Sequence, residues 1–216
     1  MINEWIRELR LKDDYSVGEQ WKYQVSGNVI EFSVPRAAIY EKEVFRNAVI
    51  TIGRVLKALS RKIEESNHQF HIQSFSNLEN PEIIASIRMD PKNQNRQSFP
   101  DIQSAKNVDD ITSKLRSISK EYQFELIQMT ETDNLTDQYQ EFIEGRECYA
   151  LVSKFDNPFS WLNLGYLKEA IAIDCCVNLS DKPEIVIDSF LENNQRAFEN
   201  DFIQALVFFD HAKSLS

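Results

Sequence analysis

The chain has 216 residues, of which 42% are hydrophobic and 27% charged, a composition typical of a globular protein and not of a disordered one. Its 34 acidic residues outnumber its 24 basic residues, which gives a formal net charge of −10 at pH 7. Because binding to phosphate backbones or to anionic lipid needs an excess of Lys and Arg, this balance argues against nucleic acids and membrane surfaces as partners.

The sequence shows no targeting or membrane-spanning segment. Its first residues lack the basic stretch and apolar run of a signal peptide, and no apolar run approaches the roughly 20 residues that span a bilayer. The three cysteines, two of which are adjacent, do not form the pattern of a disulfide framework. We therefore expect a cytoplasmic protein.

The first part of the chain predicts a helix, a hairpin and a long second helix. Residues 1–20 indicate a short amphipathic helix followed by a loop. Residues 21–34 alternate apolar and polar side chains on both sides of Gly27, which predicts a β-hairpin. Apolar residues spaced three and four apart then predict a helix at about 42–66.

The next segment predicts a strand and a helical turn. Phe70 and Ile72 alternate with polar neighbours, which is typical of a strand. Asn80 followed by Pro81 is typical of a helix N-cap with proline at the first helical position, and it predicts a short helical turn. The apolar residues 84–89 are compatible with either a helix or a strand.

The second half of the chain mixes helices and strands after a polar loop at residues 90–106. Residue patterns predict helices at 108–121, 132–145, 158–176 and 184–195. The sequence also predicts a strand at 124–129 and, from short apolar runs, buried strands at 148–153 and 203–209. Because the elements do not alternate strictly and no linker divides the chain, we expect an α+β fold in a single domain over residues 1–216.

Several common chemical motifs are missing. The five glycines form neither a dinucleotide-binding nor a P-loop pattern, in which glycine lets the backbone approach a phosphate closely. The Gly-x-Ser-x-Gly motif of a nucleophilic serine is also missing. These absences argue against a Rossmann dehydrogenase and a P-loop NTPase.

The histidines and cysteines favour structural roles over chemical ones. His68 and His71 are three residues apart, but they straddle a predicted helix–strand junction and lack a nearby Cys or carboxylate at ligand spacing, so we predict no metal site. Adjacent cysteines such as Cys175 and Cys176 rarely form an unstrained disulfide. We expect both of them, and Cys148, to be small buried hydrophobes, with redox activity as the less favoured alternative.

Several segments resemble, in the same order, the nitroreductase superfamily and in particular its Acg-like branch of FMN-associated proteins. Gln20-Trp21 before a hairpin is similar to the family's Gln-Pro-Trp without the proline, and Phe45-Arg46 opens a similar helix. The polar loop has Lys92-Asn93-Gln94-Asn95-Arg96 and then Ser98-Phe99, where the family has Arg-Arg-Thr-x-Arg and then Pro-Phe. An apolar helix with Trp161 and a closing strand complete the resemblance.

The resemblance implies a fold, a cofactor and an assembly. The fold is a nitroreductase-like mixed, mainly antiparallel sheet covered by helices. The activity is an FMN-dependent oxidation–reduction that uses a reduced nicotinamide as donor, and such proteins form homodimers. Lys92, Gln94, Arg96 and Trp21 are the implied cofactor-binding residues, and no side chain is implied as a catalytic acid or base because the flavin supplies the chemistry.

A flavin-free protein is the alternative. Phe208 and Asp210 stand where the family's closing strand has Arg and Gly, and Asn93 stands where the loop has its second Arg. These departures favour a nitroreductase-fold protein that acts as a binding or structural module, with a small-molecule ligand as one possible partner.

Overall fold

The computed structural model describes residues 2–10, 20–75, 77, 79–90, 108–129, 146–174, 184–186 and 201–210. The chain falls into two compact units. The first unit comprises Met1–Asp101 and Trp161–Glu169, and the second comprises Ile102–Ser160 and Ala170–Ser216. Each unit contains a four-stranded antiparallel sheet. The combination of helices and antiparallel sheets confirms the predicted α+β class, while a single domain over residues 1–216 stays a prediction.

In the first unit, the helices are α1 (Ile2–Arg10), α2 (Arg36–Ile39) and α3 (Lys42–Glu65), and the strands are β1 (Lys22–Ser26), β2 (Val29–Ser33), β3 (Gln69–Ser74) and β4 (Ile83–Asp90). The strand order is β1-β2-β4-β3, with all neighbours antiparallel. Apolar side chains such as Ile30 and Phe32 are buried, whereas Gln24 and His71 are exposed. The sheet therefore has one apolar face, and α3 contacts β3 and β4.

The predicted hairpin is confirmed, and Gly27 explains its turn. Val25 pairs with Ile30 and Ser26 pairs with Val29, so Gly27 and Asn28 form a two-residue connection. Gly27 has a φ of 61°, a conformation that glycine adopts without the steric cost other residues meet.

The predicted long helix is confirmed as α3, and it ends where the backbone turns left-handed. Asn67 has a φ of 59°. The N–H of His68 donates to the carbonyl of Ile63 at 3.1 Å, and the N–H of Asn67 donates to the carbonyl of Glu64 at 2.8 Å. This pair of bonds is a Schellman motif, which satisfies carbonyls that the end of a helix would otherwise leave free.

The short helix α1 is also confirmed, and it is attached to α3. Ile6 and Leu9 are buried, as their shared helical face predicts. At the surface, Nζ of Lys62 on α3 lies 2.7 Å from Oε2 of Glu8.

The predicted helical turn at Asn80-Pro81 is wrong. The carboxamide oxygen of Asn80 accepts the N–H of Glu82 at 3.1 Å, and the carbonyl of Asn80 accepts the N–H of Ile83 at 3.2 Å. These bonds make a turn, because Asn can capture N–H groups in a turn just as it does at a helix start. The residues at 84–89, which the sequence left open between helix and strand, belong to β4.

In the second unit, the elements are α4 (Val108–Glu121), β5 (Glu125–Met129), β6 (Arg146–Ser153), β7 (Glu184–Val186) and β8 (Phe202–Asp210). The strand order is β5-β6-β8-β7, again antiparallel. The predicted helix at 108–121, the predicted strand at 124–129 and the two predicted buried strands at 148–153 and 203–209 are confirmed. The helix predicted at 184–195 is wrong at its start, because Ile185 pairs with Val207 of β8. The predicted helix at 132–145, the rest of 184–195, and Cys175 and Cys176 lie outside the described residues.

Helix α5 (Pro158–Asp174) confirms the apolar helix predicted at 158–176. The carboxamide oxygen of Asn157 accepts the N–H of Ser160 at 3.0 Å, which caps the first turn, and Pro158 occupies the first helical position. None of the helices in the described ranges is long and apolar enough to cross a membrane.

The backbones of α3 and α5 touch within the first unit. A Cβ atom added to Gly53 would collide with the carbonyl oxygen of Leu162, and one added to Gly165 would collide with the carbonyl oxygen of Ile50. In both cases the obstacle is backbone, which cannot rotate away as a side chain can. The two glycines are therefore the residues that let these helices approach so closely.

Cys148 lies in the core of the second unit, as predicted. It is buried with Met129, Ala150, Val152, Ile203, Leu206 and Phe208. Burial raises the pKa of the Cys148 thiol to about 12, because the thiolate would lose its hydration there. The thiol is therefore protonated near neutral pH, which fits a packing role.

We predict that Gly165→Ala lowers the free energy of unfolding by about 1–3 kcal/mol. In an exposed helix the same change would stabilise the protein by roughly 1 kcal/mol. The close approach of α3 is expected to turn this stabilisation into a destabilisation. Urea denaturation checks this. Glu64→Ala, at an exposed position of α3, serves as the control and should stay within about 0.5 kcal/mol of the unchanged protein. Stabilisation by Gly165→Ala would contradict the helix crossing.

We predict that the stability contributed by Cys148 falls as the pH rises from about 9 towards 12. Its pKa is higher in the folded state, so above pH 9 the unfolded chain loses the thiol proton first and unfolding becomes more favourable. The stability difference between the unchanged protein and Cys148→Ala should therefore shrink over this range. Val152→Ala, in the same core, should show a constant difference. A constant difference for Cys148→Ala as well would refute the raised pKa.

Candidate functional site

The loop predicted to bind a phosphate lies outside the described residues. Lys92, Gln94 and Arg96 thus have no observed geometry, and their roles stay predictions. The described structure does place the strand that leads into this loop, because β4 ends at Asp90. The described residues nearest to this loop in sequence are those at the end of β4, whereas Gln20 precedes β1 at the other end of the sheet, where Lys22 pairs with Ser33 and Ser33 with Ile83.

Hydrogen bonds attach the end of β4 to the tip of the hairpin. The N–H of Met89 donates to the carbonyl of Asn28 at 2.9 Å. The carboxamide of Asn28 donates in return to the carbonyl of Met89 at 2.8 Å. The short connection at Gly27-Asn28 thus holds the end of β4 in place.

A small charged cluster lies at the same end of the sheet. Nε2 of His71 lies 3.0 Å from Oδ2 of Asp90, and Nε of Arg88 lies 3.4 Å from Oδ1. His71 sits opposite Arg88 in the β3–β4 register, and Asp90 follows two residues later, so the three side chains share one face. The His71 side chain is 68% exposed, so these contacts contribute little stability, but they engage both oxygens of the carboxylate.

Trp21 is part of the core of the first unit. It is 2% exposed, and its ring centroid lies 6.1 Å from that of Phe32 and 6.3 Å from that of Tyr23. Aromatic rings at this separation contribute to packing. The structure does not test whether Trp21 also contacts a cofactor, and that role stays a prediction.

Gln20, beside Trp21, carries a buried oxygen that sequence reasoning did not single out. Its Oε1 atom is shielded from solvent and has no hydrogen-bond partner among the residues that the structure describes. A buried carbonyl without a donor costs about 1–3 kcal/mol. The motif Gln20-Trp21 is visible in the sequence, but nothing in it indicates that this oxygen would have no donor.

Polar side chains also line the crossing of α3 and α5. Nε of Arg54 lies 3.5 Å from Oε2 of Glu169, with the side chains 12% and 10% exposed. The Ser60 hydroxyl donates to the carbonyl of Lys57 at 2.8 Å, so in its 3.2 Å contact with Tyr166 the tyrosine hydroxyl is the donor. The Ser60–Tyr166 contact satisfies two hydroxyls inside the helix pair, and Arg54 forms an ion pair with Glu169, so we assign these side chains to packing rather than to chemistry.

In the second unit, a tyrosine and a carboxylate lie next to each other on β6. The hydroxyl of Tyr149 donates to Oε2 of Glu147 at 3.3 Å. Burial raises the pKa of Tyr149, and a hydrogen bond from Thr112 opposes this shift. The phenol therefore stays protonated near neutral pH. Its hydrogen bond to Glu147 gives the buried hydroxyl a partner in the core.

Phe208, which stands where the resemblance expects an arginine, is a core residue in the structure. Phe208 is buried, and the guanidinium of Arg146 lies 5.9 Å from its ring centroid. Arg146 pairs with Asp210 across the β6–β8 ladder. The arginine that the resemblance would place on β8 is thus replaced by an apolar side chain, and a cation from the neighbouring strand covers it.

The histidine pair shows no metal-binding arrangement in the described ranges. His71 is bonded to Asp90, and no group of three or more His, Cys, Asp or Glu residues in the described part of the chain could hold a metal ion.

Comparisons with known proteins give little further information. No family model matches the sequence. No curated protein is significantly similar to it. Among solved structures, the chain is similar to a crystal structure from Thermotoga maritima that is provisionally described as a nitroreductase, with 11% sequence identity over 93% of this chain and 82% of that chain. The TM-score of 0.39 is too low to establish a common fold.

Proposed function

We propose that this chain is an FMN-dependent oxidoreductase of the nitroreductase type that takes its electrons from a reduced nicotinamide. One observation carries the proposal: the donor-rich stretch with Lys92, Gln94 and Arg96 begins two residues after β4, whose end is fixed to the hairpin by Asn28. A strand end that is held in place gives such a loop a defined starting point.

The side chains of this loop suit the phosphate of FMN. The guanidinium of Arg96 can donate two parallel hydrogen bonds to phosphate oxygens, and these charge-assisted bonds are stronger than neutral ones. Lys92 adds a positive charge without the planar fork of arginine. Gln94 can donate a hydrogen bond from its carboxamide.

The charged cluster at the end of β4 supports this assignment. Asp90 is the acidic residue nearest to Lys92 in sequence, and an unpaired carboxylate there would compete with a phosphate for the loop cations. His71 and Arg88 contact both oxygens of that carboxylate. Both oxygens of the Asp90 carboxylate therefore already have partners in the sheet.

Bound FMN would supply two-electron hydride chemistry between a reduced nicotinamide and a nitro, quinone or similar acceptor. The protein's part is to hold and orient the cofactor, so no acid–base pair is required of its side chains. The ring of Trp21 is buried in the core and so holds the backbone next to Gln20 in place. The proposal includes a homodimer, as the resemblance implies.

A flavin-free binding or structural protein is the second candidate. The observation that favours it is Phe208, which is buried in the core of the second unit where the resemblance expects an arginine. An apolar side chain cannot donate a hydrogen bond to a phosphate, so any phosphate site has one cationic ligand fewer.

We predict that the purified protein binds FMN and that Arg96→Ala weakens this binding by about 10–100-fold. The loss corresponds to about 1.5–3 kcal/mol for hydrogen bonds to a charged group. Titration of the ligand-free protein with FMN, followed by flavin absorbance, gives the dissociation constants. Arg36→Ala, which removes an exposed arginine from α2, is the control and should leave the affinity unchanged.

Two results would count against the oxidoreductase. A colourless protein that takes up no added FMN supports the flavin-free candidate. Equal losses in Arg96→Ala and Arg36→Ala would show that the general charge of the protein, and not the loop, governs binding.

A further inference from the structure

The chain contains the same order of elements twice. In residues 2–90, helix α1 precedes strands β1 and β2, and helix α3 precedes strands β3 and β4. In residues 108–210, helix α4 precedes β5 and β6, and helix α5 precedes β7 and β8. The strand orders β1-β2-β4-β3 and β5-β6-β8-β7 match position for position, and all neighbours are antiparallel. Among the described elements, the short helix α2 is the one without a counterpart.

Both sheets also have a bulge at the same place. In the first sheet, Ser33 pairs with the first residue of β1 and with Ile83, and Ile84 is an extra residue on β4. In the second sheet, Val152 pairs with the first residue of β5 and with Ile203, and the next residue on β8 is the extra one. Bulges are kept within protein families because each one bends its strand in a particular way. The shared bulge is therefore evidence of a common origin that the strand order alone does not give.

The bulge aligns β4 and β8 residue by residue without a gap. Ala85 then corresponds to Ala205. The last residue of β4, Asp90, corresponds to the last residue of β8, Asp210. The correspondence therefore extends from the topology to the sequence.

The helices α3 and α5, which hold equal places in the two halves, contact each other reciprocally. A Cβ atom on Gly53 would meet the carbonyl oxygen of Leu162, three residues before Gly165. A Cβ atom on Gly165 would meet the carbonyl oxygen of Ile50, three residues before Gly53. The same two Cβ positions lie 3.0 and 3.1 Å from the backbone nitrogen that follows the opposite glycine. A contact that is unchanged when its two sides are exchanged is isologous, the kind that two copies of one surface make.

Side chains extend this reciprocity. Arg54 and Tyr166 directly follow the two glycines. Lys57 and Glu169 each lie four residues after one of the glycines. Nε of Arg54 lies 3.5 Å from Oε2 of Glu169. Nζ of Lys57 lies 5.6 Å from the ring centroid of Tyr166. The two contacts exchange places when the helices are exchanged, although one is an ion pair and the other a cation–π contact.

We propose that the chain is a tandem duplication of one α-β-β-α-β-β unit, and that the surface around Gly53 and Gly165 is a self-association surface whose partner is a second copy of that unit. Residues 2–90 are the first copy and residues 108–210 the second. Helix α5 belongs to the second copy by its place in the chain, yet its stretch Trp161–Glu169 lies in the first compact unit. A helix of one copy that packs into the other is what a self-association surface produces.

The duplication gives a counterpart to Phe208, which stands where the resemblance expects an arginine. In the alignment fixed by the bulges, Phe208 corresponds to Arg88, which contacts Asp90 at the end of β4. The first copy thus has an arginine at the place where the second copy has an apolar side chain. The two copies have therefore diverged at this end of the sheet.

A circular permutant tests the duplication. The chain is opened between Asp101 and Ile102, where the two compact units divide, and Ser216 is joined to Met1 by a flexible Gly/Ser linker of about 20 residues. The second copy then precedes the first. Because each copy keeps its own strands and helices in order, this permutant should unfold cooperatively, with a thermal midpoint within about 5 °C of that of the unchanged protein.

The matched control is a permutant with the same linker that is opened between Glu79 and Asn80. This opening also lies in a turn, but it separates β4 from the rest of the first copy, and its unfolding midpoint should be clearly lower. In both the unchanged protein and the first permutant, Gly53→Ala and Gly165→Ala should each lower the midpoint by roughly 2–10 °C, because the reciprocal contact gives the two glycines equivalent roles.

Each other outcome overturns the inference. If the first permutant does not fold, or is no more stable than the control, residues 2–90 and 108–210 are not two copies of one unit. If it folds but either glycine substitution leaves the midpoint unchanged, the helix crossing is not a self-association surface. The inference goes beyond the proposed function, and no flavin enters these measurements, so neither result bears on that function.

Discussion

The contact between Gly53 and Gly165 is the constraint on which the first unit depends. Two helices can touch backbone to backbone only where neither has a side chain, and here each glycine faces a carbonyl of the other helix. This contact brings Phe45 and Trp161 edge to face, with ring centroids 6.0 Å apart. Because α3 also contacts β3 and β4, the position of the sheet follows from the position of α3.

The candidate site follows from that scaffold. The hairpin and β4 are fixed to each other through Asn28, and the end of β4 carries Asp90 with its two partners, His71 and Arg88. The exposed contacts of His71 and Arg88 with Asp90 contribute little stability. Their effect is local, since they engage both oxygens of the Asp90 carboxylate, two residues before Lys92 in sequence. The site is therefore a product of strand geometry and charge placement rather than of a catalytic group.

Periodicity predicted most of the elements, because α3 and the hairpin follow patterns set by neighbouring residues. It failed where contacts between segments distant in sequence determine the local structure. Asn80 suits a turn as well as a helix start, and pairing of β4 with two strands selected the turn. Residues 184–186 became a strand because β8 offered a free edge. The Gly53–Gly165 contact could not be foreseen, since an isolated glycine in a helical sequence indicates only a lower helix propensity. The free oxygen of Gln20 likewise depends on which atoms surround it.

We propose that the chain holds FMN by its phosphate through the loop that follows β4. The most direct measurement compares thermal unfolding of the ligand-free protein with FMN and with riboflavin, which has the same ring but no phosphate. A ligand at about 100 times its dissociation constant stabilises the folded state by roughly 2.7 kcal/mol. We predict that FMN raises the unfolding midpoint clearly and that riboflavin at the same concentration raises it much less. No shift with either compound, or equal shifts with both, would contradict the account.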